Sequence, residues 1–198
     1  MARPLDLGMD TKALLSRSFS EAARVLAALS ADDRCMAQVA GLVEDVSAAF
    51  AAGRKVLICG NGGSLCDAAH FAEELTGRFR NDRRSLPAIA CADPGHITCV
   101  ANDYGFDEVF ARWVRALGRP GDVLIVLSTS GNSENCVRAC RAGKEAGLRT
   151  CAMLGRGGGR MKGLCDSEII VPGETSDRIQ ELHMLILHTI VEGIEAKL

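Results

Sequence analysis

Aromatic side chains are scarce in this chain: 198 residues include one Trp and one Tyr, too few to build a platform on which nucleobases could stack. An excess of one charge is missing too. The formal net charge is −2, so neither nucleic acid nor an anionic membrane is expected as a partner. No apolar run approaches the ~18–20 residues of a membrane span. The Met1–Asp10 stretch, broken by Pro4 and Asp6, is too short to read as a secretory leader. Nine cysteines are present, but the count is odd and no Cys-x-x-Cys pair occurs, which argues against a disulfide framework. Cys59, Cys91, Cys99 and Cys151 lie in or beside apolar runs, where a free thiol acts as a small core residue. A reducing cytoplasm is the compartment this usage implies.

What is present is an ordinary globular mixture, 47% apolar and 24% charged, long enough for one domain with a sizeable core. Lys12 to Ala52 carry no strand pattern. Apolar residues recur there at helical spacing through Ala22, Ala23, Val25, Leu26 and Leu29, and again through Met36, Val39, Leu42, Val43, Val46 and Phe50. Ser30, with Asp33 three residues on, is the expected N-cap of the second helix, and Gly53 its end. Residues 10–52 thus read as a helical extension of a single domain spanning 1–198, packed on a sheet or on a neighbouring subunit.

From Lys55 the pattern alternates. Short apolar runs at Lys55–Cys59, Pro87–Cys91, Asp122–Leu127, Arg149–Leu154 and Glu168–Val171 are separated by helical stretches at Ser64–Gly77, Phe106–Leu117 and Ser133–Ala146, and Ser176–Lys197 closes the chain. Strands that are apolar throughout are covered on both faces. The pattern therefore predicts a doubly wound α/β fold, a three-layer sandwich around a central five-stranded parallel sheet, with ligands at the carboxyl ends of the strands.

Two turns fall at that edge. Cys59-Gly60-Asn61-Gly62-Gly63-Ser64 follows Val56-Leu57-Ile58, and Ser128-Thr129-Ser130-Gly131-Asn132-Ser133 follows Val123–Leu127. A strand, a tight turn and a helix start aim backbone N–H groups and hydroxyls at one point, as an anionic oxygen requires. The first turn matches neither the dinucleotide fingerprint nor a Walker loop, and alone it reads equally as a simple connection. The second holds more hydroxyls than one N-cap uses. It contains no lysine, which suits a monophosphate that must be released. Together the two turns point to a phosphorylated ligand.

His70 and Glu74 are four apart on the helix after the first turn and share one face. Such a pair binds a metal, moves protons, or simply pairs on the surface. The last helix carries Asp177, Gln180, Glu181, His183 and His188. Gln180 and His188 are ~80° apart around its axis, whereas His183 is ~140° from His188 and points elsewhere. Gln180 and His188 are also ~12 Å apart along the axis, so serving one site requires their side chains to lean together. Met184, Leu185, Leu187 and Ile190 form a core stripe, and a histidine beside such a stripe is more often a hydrogen-bonded core residue than a ligand. Arg78–Arg84 reads as a solvated basic loop in which Arg78 can reach a sugar or phosphate oxygen. Asn102-Asp103-Tyr104-Gly105 reads as a turn whose carboxylate suits sugar hydroxyls. Gly155–Gly159 reads as a connecting loop whose Arg156 and Arg160 lack an evident partner, and His96 as a helix cap without a role.

Gly60-Asn61-Gly62-Gly63-Ser64, Asp67, His70-Phe71-Ala72-Glu73-Glu74-Leu75, Ser128–Ser133, Asp177-Arg178-Ile179-Gln180-Glu181 and His188 together resemble the phosphoheptose isomerases of the sugar isomerase (SIS) superfamily. The likeness runs from about Lys12 to the C-terminus. It implies conversion of sedoheptulose 7-phosphate to D-glycero-D-manno-heptose 7-phosphate, the first committed step toward the heptoses of bacterial lipopolysaccharide. It also implies a homotetramer with active sites shared between subunits. Carried over by position, Glu74 and His188 are the acid–base pair of a cis-enediol mechanism. His70, Glu74, Gln180 and His188 are the ligands of one zinc ion per subunit. Ser64, Ser128, Thr129, Ser130 and Ser133 are phosphate contacts, and Asn61, Gly62, Gly63, Arg78, Asn102, Asp103, Asp177 and Gln180 complete the substrate site. The chain departs from the family at Leu65, where histidine is frequent. Non-catalytic relatives that bind the replication initiator DnaA lack the residues matching Glu74 and His188 and have an altered hydroxyl loop. All three features are present here, which favours the enzyme. A sugar-phosphate-sensing regulator is a further alternative, but no DNA-binding segment is visible in the sequence.

Overall fold

Hydrogen bonding joins the five apolar runs into one all-parallel sheet in a computed structural model that describes residues 10–198. The Met1–Asp10 segment, read above as no leader, lies outside the described residues apart from Asp10. Strands β1 (Val56–Gly60), β2 (Ala88–Ala90), β3 (Val123–Ser128), β4 (Arg149–Leu154) and β5 (Ser167–Ile170) stand in the order β2-β1-β3-β4-β5. Every strand falls within one residue of its expected limits. All residues of β1 and β3 are buried, which is why those runs do not alternate.

The two faces separate cleanly. Helices α1 (Thr11–Ser30), α2 (Asp33–Ala51), α3 (Gly63–Thr76) and α7 (Ser176–Glu195) cover Val56, Ile58, Val123, Ile125 and Leu127. Helices α4 (Pro94–Tyr104), α5 (Val109–Leu117) and α6 (Glu134–Glu145) cover Leu57, Cys59, Leu124 and Val126. The chain leaves β1 toward one face and β3 toward the other, although Gly60 and Leu127 are paired neighbours. That is the topological switch point of a doubly wound sheet, where a crevice opens. Both sequence-flagged turns border it.

Four local readings are corrected by the structure. The N-cap of α2 is Asp32, which accepts from the Cys35 N–H at 3.0 Å; Ser30 instead ends α1 and donates to the Ala27 carbonyl. Helix α4 occupies a stretch of which only Asn102–Gly105, as a turn, and His96, as a helix cap, were read. Asp93 caps it and Pro94 opens it, but Val100 is its one buried residue, so no apolar stripe betrays it. Cys99 is exposed, its thiol donating to Asp103 Oδ2 at 3.6 Å, while Cys59, Cys91 and Cys151 are buried as expected. Finally, Arg83 is not solvated. It donates to the Glu74 and Leu75 carbonyls at 2.7 and 2.9 Å and pairs with buried Glu195 at 3.0 Å. The last carbonyls of a helix lack intrahelical partners, and a cation there also complements the dipole.

All nine cysteines are free, and no helix among the described residues is long and apolar enough to cross a membrane. His183 points away from His188, as its helical angle requires. It is fully buried, its Nε2 donates to the Leu154 carbonyl at 3.2 Å, and burial pushes its imidazole down to about 4. An unfolded histidine titrates near 6.5. His183 therefore supports the fold fully above pH 6.5, and that support is lost as pH falls toward 4, by about 3 kcal/mol in total. His183→Gln, which keeps a donor toward Leu154, is expected to flatten the dependence of the urea midpoint on pH between 6.5 and 4. A variant midpoint falling as steeply as the parent's would rule His183 out as the source.

Candidate functional site

Beyond the ends of β1 and β3, Asn61, Ser64, Ser128, Thr129, Ser130, Ser133 and Gln180 line a polar cavity of about 60 Å³. Helices α3, α6 and α7 begin around it, and none of the three has a side-chain N-cap bond. By contrast α1, α2 and α4 are each capped by an aspartate. The positive ends of three helix dipoles thus lie around the cavity, an arrangement suited to an anion without lysine. Ser128 Oγ accepts from the Gly131 N–H at 3.1 Å, and Ser130 Oγ accepts from the Asn132 N–H at 3.2 Å. Each hydroxyl thus keeps its own hydrogen to donate to an incoming oxygen.

The glycine run after β4 is the brace of this cavity rather than a plain connection. Gly131 has φ +63, and a Cβ there would overlap the Gly158 carbonyl oxygen. The Met161 N–H donates to the Gly131 carbonyl at 2.9 Å, and the Arg160 N–H to Asn132 Oδ1 at 3.0 Å. Both arginines of the run have partners: Arg160 pairs with Glu134 at 2.8 Å, and Arg156 donates to the Glu174 carbonyl and to Ser176 Oγ. Asn135 was not singled out in the sequence. It is buried and exchanges two amide hydrogen bonds with Asn61, at 2.9 and 2.8 Å, tying the first turn to the start of α6. A lone amide inside a helix carries no period or motif by which to find it.

Helices α3 and α7 run side by side in the same direction. Gln180 lies against Gly63, where a Cβ would come within 2.7 Å of its amide, and its Nε2 is 3.5 Å from Ser64 Oγ. Farther along both helices His70, Glu74 and His188 meet. His70 Nε2 is 3.2 Å and His188 Nε2 4.0 Å from the same Glu74 oxygen. The two imidazoles sit edge to face with centroids 5.0 Å apart, and the Phe79 ring stacks on His188 at 5.7 Å. The Glu74 side chain is 15% exposed, and Arg83 holds its backbone carbonyl. The three donor atoms all lie within 4.8 Å of one another, as metal ligands must. On the same helix Asp67 is half-buried with one carboxylate oxygen unpartnered; burial pushes it up to about 6, opposed by His70.

Other expected site residues are not gathered here within one chain. Gln180 lines the hydroxyl cavity and lies against Gly63, about two turns before His188 on α7. Arg78 is exposed just beyond α3. Asn102 and Asp103 are exposed at the end of α4, bonded to each other at 2.7 Å, on the opposite face of the sheet. Asp177 is exposed in the first turn of α7, 3.4 Å from Arg178. Phe79 and Ser176 join the list of residues the sequence did not flag.

A sequence profile of the SIS domain matches residues 18–155. The phosphoheptose isomerase of Vibrio cholerae serotype O1 is 50% identical over 186 residues, covering 93% of this chain and 97% of that protein. The chain belongs to the phosphoheptose isomerase family, among the SIS-domain proteins. The Fusobacterium nucleatum phosphoheptose isomerase is 61% identical over 146 residues, or 74% of this chain and 75% of that protein. The solved phosphoheptose isomerase of Neisseria gonorrhoeae superimposes with a TM-score of 0.87 at 36% identity, covering 94% of this chain and all of that one. The chain is therefore an isomerase of α/β architecture.

Gly131→Ala is expected to destabilise the fold by at least about 1–3 kcal/mol, the cost of a left-handed backbone for a residue with a side chain, with the overlap at Gly158 in addition. Urea denaturation measures this, and a variant as stable as the parent would contradict the backbone contact.

Proposed function

We propose that this isomerase converts sedoheptulose 7-phosphate to D-glycero-D-manno-heptose 7-phosphate, toward lipopolysaccharide heptose. One observation carries the mechanism: a half-buried carboxylate flanked by two imidazoles, on helices that start at an anion cavity. Moving a carbonyl from C2 to C1 requires a proton to leave C1 and return to C2, while another passes between the two oxygens. Glu74, a carboxylate shielded from solvent, takes and returns the carbon-bound proton. His188, with its ring held by Phe79 and the edge of His70, serves the oxygens. The hydroxyls of Ser64, Ser128, Thr129, Ser130 and Ser133, with Asn61, Gly62 and Gly63, bind the phosphate; Gln180 acts at this end.

His70, Glu74 and His188 supply two nitrogens and a carboxylate oxygen within 4.8 Å, a donor set that fits a divalent ion such as zinc and leaves a position open. When bound, such an ion supplies Lewis-acid polarisation of a carbonyl oxygen. Gln180, the fourth expected ligand, stands about two turns earlier on α7, at the edge of the hydroxyl cavity.

The complete site is read as shared between subunits of a homotetramer. The cavity and the imidazole–carboxylate group are ~12 Å apart along α7, and Arg78, Asn102, Asp103 and Asp177 are open to a neighbouring chain. Exposed Leu14, Leu15, Phe19 and Leu26 on α1, with Leu185 on α7, supply an apolar surface of the kind that subunits bury. Residues 10–52 then serve as the extension of a single SIS domain, covering the sheet with one side and a neighbour with the other. Free thiols throughout fit a cytoplasmic location. A DnaA-binding role has no feature here in its favour.

Glu74→Gln and His188→Gln are each expected to lower turnover of sedoheptulose 7-phosphate by at least ~100-fold, with circular dichroism and inorganic phosphate binding unchanged. Parental turnover in either variant would remove that residue from the mechanism. Metal analysis is expected to find zinc in the parent and to lose it in His70→Ala with His188→Ala; zinc retained in that double variant would refute the ligand assignment.

A further inference from the structure

The hydroxyl loop contains no lysine, yet a cation is built in behind it. Among the described residues Arg156 is the one residue other than glycine with left-handed backbone, at φ +47, and Gly157, Gly158 and Gly159 continue in that region. Side chains resist this conformation, and glycine would adopt it freely. The arginine is nevertheless held with its guanidinium over the first turn of α7. Nε donates to the Glu174 carbonyl at 2.8 Å and Nη2 to Ser176 Oγ at 3.3 Å. Ser176 Oγ is in turn 3.1 Å from Thr129 Oγ1, and Thr129 lines the hydroxyl cavity.

Taken alone, either hydroxyl of the Ser176–Thr129 pair could donate to the other. The guanidinium biases that choice, because it has donors only and so meets Ser176 Oγ solely as an acceptor. With one lone pair accepting from Arg156, Ser176 keeps its hydrogen for Thr129 Oγ1, and in that arrangement Thr129 keeps its own for the cavity. Hydrogen bonds aligned in this sense reinforce one another.

We infer that Arg156 is a positioning residue for the phosphate, ordering a one-way donor chain from Arg156 through Ser176 to Thr129 that ends on the anion. This rests on the reading of the hydroxyl cavity as the phosphate subsite. It accounts for a charged side chain at a backbone position suited to glycine, and for positive charge that reaches the cavity without a lysine inside it.

Calorimetric titration of the whole protein with inorganic phosphate tests the inference, together with KM for the sugar phosphate. Arg156→Met is expected to weaken phosphate about tenfold, the order of one hydrogen bond to a charged group, with the loss in KM rather than in kcat. Arg156→Gly relaxes the backbone and is expected to unfold at the parent's temperature or above, yet lose phosphate to the same extent. Ser176→Ala is expected to lose a similar factor, and combining it with Arg156→Met to cost no more than either alone. Parental phosphate affinity in Arg156→Gly, or losses that multiply in the double variant, would overturn the donor chain. Ser130→Ala separates the two readings. If it too binds phosphate normally, the cavity assignment fails; if it weakens phosphate while Arg156→Met does not, only the present inference fails.

Discussion

The contact of α7 with the start of α3 is the constraint on which the site depends. Gly63 has no side chain, so Gln180 can lie directly on it, with its amide where a Cβ would otherwise stand. From that pinned point both helices run in the same direction, and what meets farther along follows from their common rise. His70 and Glu74 are presented on one helix and His188 on the other, with a carboxylate oxygen close to both imidazoles. The same contact sets the spacing between the hydroxyl cavity and the imidazole–carboxylate group, which is therefore fixed by helix geometry rather than by loops.

The anion cavity is polar but contains no formal charge of its own. Three helices begin around it without an N-cap side-chain bond, and two hydroxyls already bonded as acceptors keep their hydrogens for a guest. Neutral donors held in place cost little rearrangement on binding. They also avoid the tight hold of a buried lysine, which suits a product that must leave. The brace for this arrangement is backbone against backbone, with the loop after β4 lying on the loop after β3.

Much of this was legible before any coordinates, and the exceptions have physical reasons. The five strands were readable because a sheet covered on both faces makes unbroken apolar runs, and His70 with Glu74 because helical spacing reports a shared face. Helix α4 was not, since burying only Val100 leaves no periodicity. Arg83 was hidden in a run of polar residues, of which composition cannot tell the one that turns inward to cap α3. Gln180 and His188 were readable as near neighbours in angle around α7, but the contact of Gln180 with Gly63 had no signal in that periodicity. Asn135 had no signal at all: its importance lies in a partner 74 positions away.

That amide pair has a handedness. Two facing carboxamides would bond equally well if both were turned over, but Asn135 Oδ1 also accepts from the Cys136 N–H at 2.9 Å, and a main-chain donor cannot be reversed. Both amides are thereby keyed in one orientation, with Asn61 Nδ2 committed to Asn135. Aspartate at position 135 would still satisfy the main-chain donor, but could offer Asn61 Oδ1 nothing except another acceptor, turning the latch between the two turns into a repulsion. The crevice is therefore sensitive to a single exchange of nitrogen for oxygen at a buried position outside the cavity lining.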